Sequence, residues 1–503
     1  MAQLPAFRDC IFYEIYPNSF FDSNGDGFGD LKGIQQKLDY IQQLGCNAIW
    51  LNPIYDSPFK DGGYDVRDPY KVSSRFGSNQ DLRDLVEEMH RRGMRLFLDL
   101  IPGHMSTENK DFLRSAEGVP NEDYDLFIWN DNVWDLVPGY RLISGCYDRS
   151  GCYLVNFFAH QPAINYGFNK IEFPSWQTSY KETKHGKEYL EKIMKYWLSY
   201  DIDGFRVDMA DSLVKNDESR EATVSLWKEI RADLKKEGVK EFYMTSEWSL
   251  PHQSLEAGFD SDFCLDWVTN CTHRLWRQKE DGFSAPLFHH YDEKLYDLFL
   301  ENFNYVIRSY KEKKGKLSFI SGNHDTCRLA NFLTIEELKL AHLFLFTMPG
   351  VPYLYFGDEI GMHTNTDLPS FEGGYQRTGS RTPMRWDHSK NAGFSKADHI
   401  FLPTNENDST LEDQLKDPNS LWHVVHQLIE LRKQDEDLRS DDFTLLEGRL
   451  AYMRGKDFIA INLLDQPQEF PIDEKAKIRF QLGGVSLNNG KLILQPHAGV
   501  IVR

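Results

Sequence analysis

Residues 203–208 read Asp-Gly-Phe-Arg-Val-Asp, and residues 242–247 read Phe-Tyr-Met-Thr-Ser-Glu. Each is a short run of β-forming residues that ends on a carboxylate. The amphipathic pattern of a helix, residues 221–237, lies between them. A strand, a helix and a second strand in this order predict one unit of a parallel α/β sheet.

The same alternation continues in both directions along the chain. Further helical patterns cover residues 31–44, 79–92 and 187–200. Eight strand–helix units predict a closed (β/α)8 TIM barrel rather than an open doubly wound sheet. The predicted strands are Cys10–Tyr16, Ala48–Leu51, Arg95–Leu100, Gly204–Val207, Phe242–Ser246, Phe263–Trp267, Ser318–Ser321 and Tyr353–Phe356.

Two regions depart from this alternation. Residues 105–168 follow the third strand, are too long for an ordinary loop and predict an inserted subdomain. After the helical pattern Leu421–Lys433 come short strand-like runs that predict a C-terminal antiparallel β domain, namely Phe443–Leu446, Leu450–Met453, Phe458–Asn462, Ile478–Leu482 and Lys491–Leu494. The predicted domains are a barrel of residues 1–104 and 169–433, an insertion of 105–168 and a terminal domain of 434–503.

Composition excludes several classes of protein. A net charge of -20 argues against nucleic-acid binding, which needs a basic face. We find no signal peptide pattern and no apolar run near the roughly 20 residues of a membrane helix. Seven scattered cysteines predict reduced thiols, with a Cys146–Cys152 disulfide as the less favoured alternative. These features predict a soluble cytoplasmic protein.

The ends of several predicted strands carry groups suited to acid–base chemistry. Besides Asp208 and Glu247, Asp325 follows the seventh strand, and Asp99 and His104 mark the end of the third. Catalytic groups of TIM barrels lie at the carboxyl ends of strands. A single such acid is usually solvated, but their order together is a strong signal. Glycoside hydrolysis needs one carboxylate to attack the anomeric carbon and a second to protonate the leaving oxygen.

These segments resemble glycoside hydrolase family 13, the α-amylase family, over nearly the whole chain. Two further stretches share the likeness: residues 161–165, Gln-Pro-Ala-Ile-Asn, and residues 350–359, Gly-Val-Pro-Tyr-Leu-Tyr-Phe-Gly-Asp-Glu. The resemblance implies that Asp208 is the nucleophile, Glu247 the acid/base and Asp325 the stabiliser of the transition state.

The resemblance also implies supporting roles for four residues. Arg206 would keep the nucleophile ionised through its fixed charge. His104 and His324 would hydrogen-bond sugar hydroxyls, and Asp99 would support the site. The alternative for the two histidines is ordinary packing at the barrel rim.

Residues 22–30, Asp-Ser-Asn-Gly-Asp-Gly-Phe-Gly-Asp, form a calcium-type pattern. Oxygens recur at alternate positions and Gly27 allows a sharp turn, but Gly33 replaces the glutamate of an EF-hand. The stretch resembles the metal loop of oligo-1,6-glucosidases, which implies a structural Ca²⁺, with Mg²⁺ possible, and no organic cofactor. The implied ligands are Asp22, Asn24, Asp26, the Phe28 carbonyl and Asp30. An Asx-rich turn without metal is the alternative.

Residues 61–65, Asp-Gly-Gly-Tyr-Asp, and 381–386, Arg-Thr-Pro-Met-Arg-Trp, match the oligosaccharide-active members. The resemblance implies that Tyr64 stacks on the glucose to be cleaved, while Asp61 and Arg381 bind its terminal hydroxyls and make the pocket blind. The alternative places Asp61 in an exposed turn and Arg381 in a surface salt bridge.

Three residues depart from the family pattern. Gly103 precedes the first histidine, where members commonly have an asparagine that often ligates a second calcium, so that calcium is in doubt. Met209 follows the nucleophile in place of Val, Ala or Thr, and Ile164 fits its segment only approximately. Linkage preference therefore stays open.

The predicted function is hydrolysis of short α-glucosides by a retaining, exo-acting α-glucosidase. A transglycosylase or isomerase of sucrose or trehalose type is the close alternative, since a sugar hydroxyl can replace water on the same intermediate. A non-catalytic relative, such as an ancillary chain of an amino-acid transporter, is disfavoured because the catalytic set is complete. The expected partner is a small α-glucoside, with no nucleic acid and no membrane; the oligomeric state is open.

Overall fold

The computed structural model describes residues 2–134, 137–265, 271–277, 285–313, 315–446 and 448–503. Its main sheet has eight strands in the order β8-β1-β2-β3-β4-β5-β6-β7. A parallel bridge between Ile320 and Tyr353 joins the two ends of that order. The predicted (β/α)8 barrel is therefore confirmed. Its strands are β1 Phe12–Ile15, β2 Ala48–Leu51, β3 Arg95–Leu100, β4 Gly204–Val207, β5 Tyr243–Ser246, β6 Ser261–Cys264, β7 Lys316–Phe319 and β8 Tyr353–Tyr355.

The chain divides into two compact units, and it passes from one to the other within strands β2 and β6 and on either side of the short segment Ser370–Tyr375. The first unit comprises Met1–Ile49, Phe263–Pro369 and Gln376–Arg503. The second comprises Trp50–Asp262 and Ser370–Tyr375.

Helices alternate with the strands. The described α-helices are α1 Leu31–Gln36, α2 Leu38–Leu44, α3 Asn79–Arg91, α4 Lys110–Ser115, α5 His185–Leu198, α6 Glu221–Lys236, α7 Pro251–Glu256, α8 Cys271–Trp276, α9 Glu293–Lys313, α10 Ile335–Thr347, α11 Leu411–Lys416, α12 Leu421–Gln434 and α13 Glu436–Arg439. Short 3-10 helices cover Phe7–Asp9, Pro17–Ser19, Leu329–Asn331, Asp358–Ile360, Tyr375–Arg381 and Lys390–Gly393.

Local sequence explains where these helices begin and break. A capping box of Ser78 and Asp81 starts α3 and satisfies its first N–H groups. The predicted helix 31–44 is two helices instead, because Lys37 has non-helical dihedral angles between α1 and α2. Gly45 ends α2 at φ +107°, a conformation that favours glycine.

Strand β6 lies two residues before its predicted start. The sequence prediction Phe263–Trp267 followed the apolar run, and residues 266–270 lie outside the described part of the chain. The strand includes Ser261 and Asp262 because β5 supplies their partners. The hydroxyls of Thr245 and Ser261 are 2.8 Å apart, and the Ser246 hydroxyl donates to Asp262 at 2.7 Å. The apolar run begins only at Phe263 because Ser261 and Asp262 are polar, although both are buried. The predicted strand therefore began two residues too late.

Four smaller sheets are found among the described residues, three of them in the two regions that interrupt the alternation. Within residues 105–168, strands Trp129–Asn130, Leu142–Ser144 and Cys152–Leu154 form an antiparallel sheet. A two-stranded sheet pairs Tyr55–Asp56 with Asp68–Val72. After α13 come a five-stranded sheet (Thr444–Leu445, Ala451–Arg454, Asp457–Ile461, Gly499–Val502, Ile478–Leu482) and a three-stranded one (Gln468–Pro471, Lys491–Leu494, Val485–Asn488). The C-terminal antiparallel sheets are thus confirmed, with three strands, Gln468–Pro471, Val485–Asn488 and Gly499–Val502, that the sequence analysis missed.

Two further predictions can be compared with the described chain. All seven cysteines are present as thiols, so the alternative Cys146–Cys152 disulfide is not formed. Among the described helices, none combines the length and the apolar character that crossing a bilayer requires.

Candidate active site

Parallel register brings two of the predicted catalytic residues together in the second compact unit. Asp208 directly follows β4, and its N–H donates to the carbonyl of Leu100 in β3 at 2.9 Å. Glu247 directly follows β5, and its N–H donates to the carbonyl of Val207 in β4 at 3.0 Å. The two carboxylates therefore leave neighbouring strands at the same end of the sheet.

Arg206 joins the acidic residues of this unit. Its Nη1 lies 2.7 Å from Asp99 Oδ1 and 3.0 Å from Asp208 Oδ1, and its Nη2 lies 2.7 Å from Glu247 Oε2. Desolvation of the buried guanidinium opposes its charge, but Asp99 and Glu247 raise the pKa of Arg206 well above its ordinary value. One permanently charged group thus holds three carboxyl groups in place.

Asp99 is the most enclosed member of the cluster. It accepts hydrogen bonds from the Tyr64 hydroxyl at 2.9 Å and from Trp50 Nε1 at 3.2 Å. Burial raises the pKa of Asp99 to about 6, although Arg206 opposes this. Three carboxyl groups around one guanidinium disfavour full ionisation of the set. The cluster is therefore suited to retaining a proton.

The turn after β4 links the two carboxylates through the backbone. Met209 has φ +42°, an uncommon conformation for a residue with a side chain. Its N–H donates to Glu247 Oε2 at 3.1 Å. Such strained backbone is concentrated at functional sites, where surrounding contacts maintain it.

The predicted sugar-binding residues of this unit are buried beside the cluster. His104 Nε2 lies 3.1 Å from the Tyr64 carbonyl, and its Nδ1 lies 3.3 Å from Asn156 Nδ2. Burial lowers the pKa of His104 to about 3, so the imidazole is neutral. Asp61 is 8% exposed and accepts a hydrogen bond from Gln161 Nε2 at 2.7 Å. The alternative of an exposed turn at Asp61 is contradicted by this burial.

The first compact unit contains the other predicted residues. Asp325 Oδ1 lies 2.9 Å from Arg377 and 2.8 Å from Arg381, and its Oδ2 lies 3.4 Å from His324 Nε2. His324 Nδ1 lies 3.0 Å from Glu14 Oε1. Burial alone would raise the pKa of Asp325, but His324 and the two arginines hold it well below its ordinary value. Arg381 is 2% exposed, so it is not in a surface salt bridge.

The carboxylate of Asp22 in the stretch Asp22–Asp30 accepts hydrogen bonds from the same stretch and from Ser395. Asp22 Oδ1 accepts from the N–H groups of Asn24 and Gly25, and its Oδ2 accepts from the Gly27 N–H and the Ser395 hydroxyl. The donor set is all oxygen, which suits a hard cation. Within the described residues, however, no group of three acidic, histidine or cysteine side chains converges as a metal site. The oxygen atoms of the loop are held by N–H and hydroxyl groups of an Asx-rich turn in this structure.

Comparison with known proteins agrees with the arrangement of strands. Residues 14–441 match the family described as alpha amylase, catalytic domain. The chain belongs to the α-amylase family. It is a glycoside hydrolase, and its (β/α)8 barrel with C-terminal antiparallel sheets is the fold of its structural neighbours.

Several α-amylase family relatives align with most of this chain. A glucan 1,6-alpha-glucosidase of Streptococcus pneumoniae serotype 4 is 30% identical over 94% of each chain. A trehalose synthase/amylase of Mycolicibacterium smegmatis is 30% identical over 89% of this chain and 80% of its own. The crystal structure of a trehalulose synthase from Pseudomonas mesoacidophila superposes with a TM-score of 0.82 at 23% identity, covering 100% of both chains. This last likeness shows the fold alone.

Three residues that contact predicted site residues were missed by the sequence analysis. Gln161 contacts Asp61, Glu14 contacts His324, and Arg377 contacts Asp325. Gln161 stands in a stretch already quoted for the family likeness and Glu14 in the first predicted strand, so their positions were a usable signal. Arg377 lies in an irregular 3-10 segment, and nothing in its local sequence marks it.

Proposed function

We propose that this protein is a retaining, exo-acting α-glucosidase that hydrolyses short α-glucosides through a covalent glucosyl-enzyme intermediate. The observation that carries the proposal is the contact of one buried guanidinium, Arg206, with both Asp208 and Glu247 at adjacent strand ends. The relatives named as 1,6-glucosidases support a glucoside substrate and make isomaltose the first compound to test.

Each carboxylate then has a distinct role. Asp208 attacks the anomeric carbon while Glu247 protonates the leaving oxygen, and Glu247 subsequently activates water that releases glucose. Two successive inversions retain the α configuration. Asp325, kept ionised by its cationic neighbours, stabilises positive charge in the transition state. His104, His324, Asp99, Tyr64, Asp61 and Arg381 bind or orient the sugar.

An isomerase of sucrose or trehalose is the second candidate, because the trehalose synthase/amylase is 30% identical to this chain. The test is incubation with maltose, isomaltose, sucrose, trehalose and maltodextrins, with products separated by chromatography. We expect free glucose as the main product, formed with retention as seen by NMR of the first turnover. A disaccharide isomer as the main product would support the second candidate instead.

We also propose the domain boundaries given above and a reducing compartment, such as the cytoplasm, for a protein whose seven cysteines are thiols. No organic cofactor is required for two carboxylates to complete this reaction.

We propose further that the loop Asp22–Asp30 binds Ca²⁺ or Mg²⁺ through its oxygen atoms. A cation that binds only the folded state stabilises it by mass action, so a chelator is expected to lower the melting temperature while initial rates in the cold largely survive. The measurement is thermal unfolding with and without chelator, together with elemental analysis. The proposal would be contradicted if the Asp22→Ala/Asp26→Ala variant melts at the same temperature as the wild type and elemental analysis finds no metal in the wild type. The loop would then be an Asx-rich turn without a metal.

A further inference from the structure

Gly103, the residue that departs from the family pattern, makes room for the side chain of Asn156. A Cβ atom at position 103 would lie 2.6 Å from Asn156 Nδ2, closer than such contacts occur. The carboxamide fills the space beside Gly103 and reaches His104 Nδ1 at 3.3 Å. The missing side chain at position 103 is therefore tied to a specific contact with the histidine.

Lys215 decides which way this carboxamide points. Its Nζ donates to Asn156 Oδ1 at 3.1 Å and to the Ser212 carbonyl at 2.8 Å. An ammonium group has donors and no acceptor, so the carboxamide oxygen must face it. The NH₂ of Asn156 then faces His104 Nδ1, which must accept and cannot carry a proton.

We propose that Lys215 acts through Asn156 as a positioning residue that fixes neutral His104 with its proton on Nε2. That proton is donated to the Tyr64 carbonyl, 3.1 Å away. The inference rests on the proposed function, because it concerns residues that orient the sugar in that site.

The hydrogen bonds from Lys215 through Asn156 to His104 form a relay. This relay ends at Tyr64, the residue expected to stack on glucose. The Tyr64 carbonyl accepts from His104, and the Tyr64 hydroxyl donates to Asp99 at 2.9 Å. The opposite tautomer would turn a lone pair of His104 Nε2 toward the Tyr64 carbonyl, and two acceptors would then repel. Tyr64 would shift, and we expect substrate binding to weaken more than the chemical step.

The charges around this relay define its dependence on pH. Desolvation lowers the pKa of Lys215 to about 8, with Asp211 opposing and Arg220 adding to the effect. Burial keeps His104 neutral, and Lys215 and His160 act in the same direction. At neutral pH the relay therefore consists of a charged lysine and an uncharged histidine.

The decisive variant is Asn156→Asp, which keeps the size and shape of the side chain. A carboxylate accepts from Lys215 but cannot donate to His104, so it forces the proton onto Nδ1. We expect kcat/KM to fall roughly 10- to 100-fold, mainly through KM, as for a lost buried hydrogen bond. Lowering the pH from about 7 toward about 5 should restore part of the lost kcat/KM. The carboxylate of Asn156→Asp raises the pKa of His104, which then gains a second proton on Nε2.

Two comparisons complete the test. Lys215→Met releases the carboxamide and should lower kcat/KM without recovery at low pH, while Asn121→Asp in the same inserted region matches the charge change and should have no effect.

Nitrogen NMR of histidine-labelled protein, with His104 assigned by the loss of its signals in His104→Gln, should show the proton on Nε2 in wild type and on Nδ1 in Asn156→Asp. This measurement does not depend on activity, so it decides the inference even if the enzyme is not an α-glucosidase. A wild-type proton on Nδ1, or an Asn156→Asp enzyme with an unchanged pH profile, would overturn it.

Discussion

Asp208→Ala is expected to lower kcat on isomaltose or maltose on the order of 10⁴-fold, because it removes the atom that forms the covalent intermediate. Glu247→Gln and Asp325→Asn should each reduce turnover by several orders of magnitude as well. The measurement is steady-state glucose release. Thermal unfolding should show that all three variants remain folded.

Two further variants test the mechanism itself. Asp208→Gly leaves an opening on the face from which the carboxylate attacks, so azide should restore turnover and give a glucosyl azide of inverted configuration. Asp260→Asn is the matched control: this carboxylate contacts Arg231 at 3.0 Å instead of Arg206, and its loss should leave kcat nearly unchanged. A wild-type reaction that inverts the anomeric configuration would contradict the assignment of Asp208.

The order of strands was predictable, whereas contacts between distant irregular segments were not. Asp208 and Glu247 each follow a short run of β-forming residues flanked by helical patterns, so the sequence locates both the strands and their ends. Strand β6 was displaced in the prediction because Ser261 and Asp262 are buried polar residues whose partners lie in another strand. The contact of Arg377 with Asp325 spans 52 residues and depends on a 3-10 segment without a repeating pattern.

The role of Gly103 shows a second limit of sequence analysis. Its replacement of the family asparagine was visible, but the neighbour that fills the space, Asn156, lies in a different segment. Only the structure shows that the two positions meet. The same holds for Asp61: its sequence, followed by two glycines, is that of a turn, whereas in the structure it is buried and contacts the distant Gln161.

Burial of Asp61 makes this residue the sharpest test of exo-specificity. Its side chain accepts from Gln161 Nε2, and its backbone N–H donates to Asp65 Oδ1 at 3.0 Å. Gln161, from a distant segment, therefore holds the carboxylate, while Asp65 holds the backbone of Asp61 in place. A fixed buried carboxylate can bind a free sugar hydroxyl strongly, and it loses that partner when the oxygen is part of a glycosidic bond.

Asp61→Ala is expected to lower kcat/KM on disaccharides by up to about 10⁴-fold, since sites built around a hydroxyl lose that much when the hydrogen bond is absent. The same variant should melt within a few degrees of the wild type. Asp68→Ala, in the strand Asp68–Val72, is the matched control. It removes a partly exposed carboxylate that accepts a hydrogen bond from the Tyr70 N–H, and it should have little effect on catalysis. The wild type should release single glucose units from non-reducing ends and leave internal bonds of long glucans intact. Rapid cutting of starch into a spread of oligosaccharides would show that the pocket is open, because a blind pocket cannot accept a chain that continues past the bound glucose.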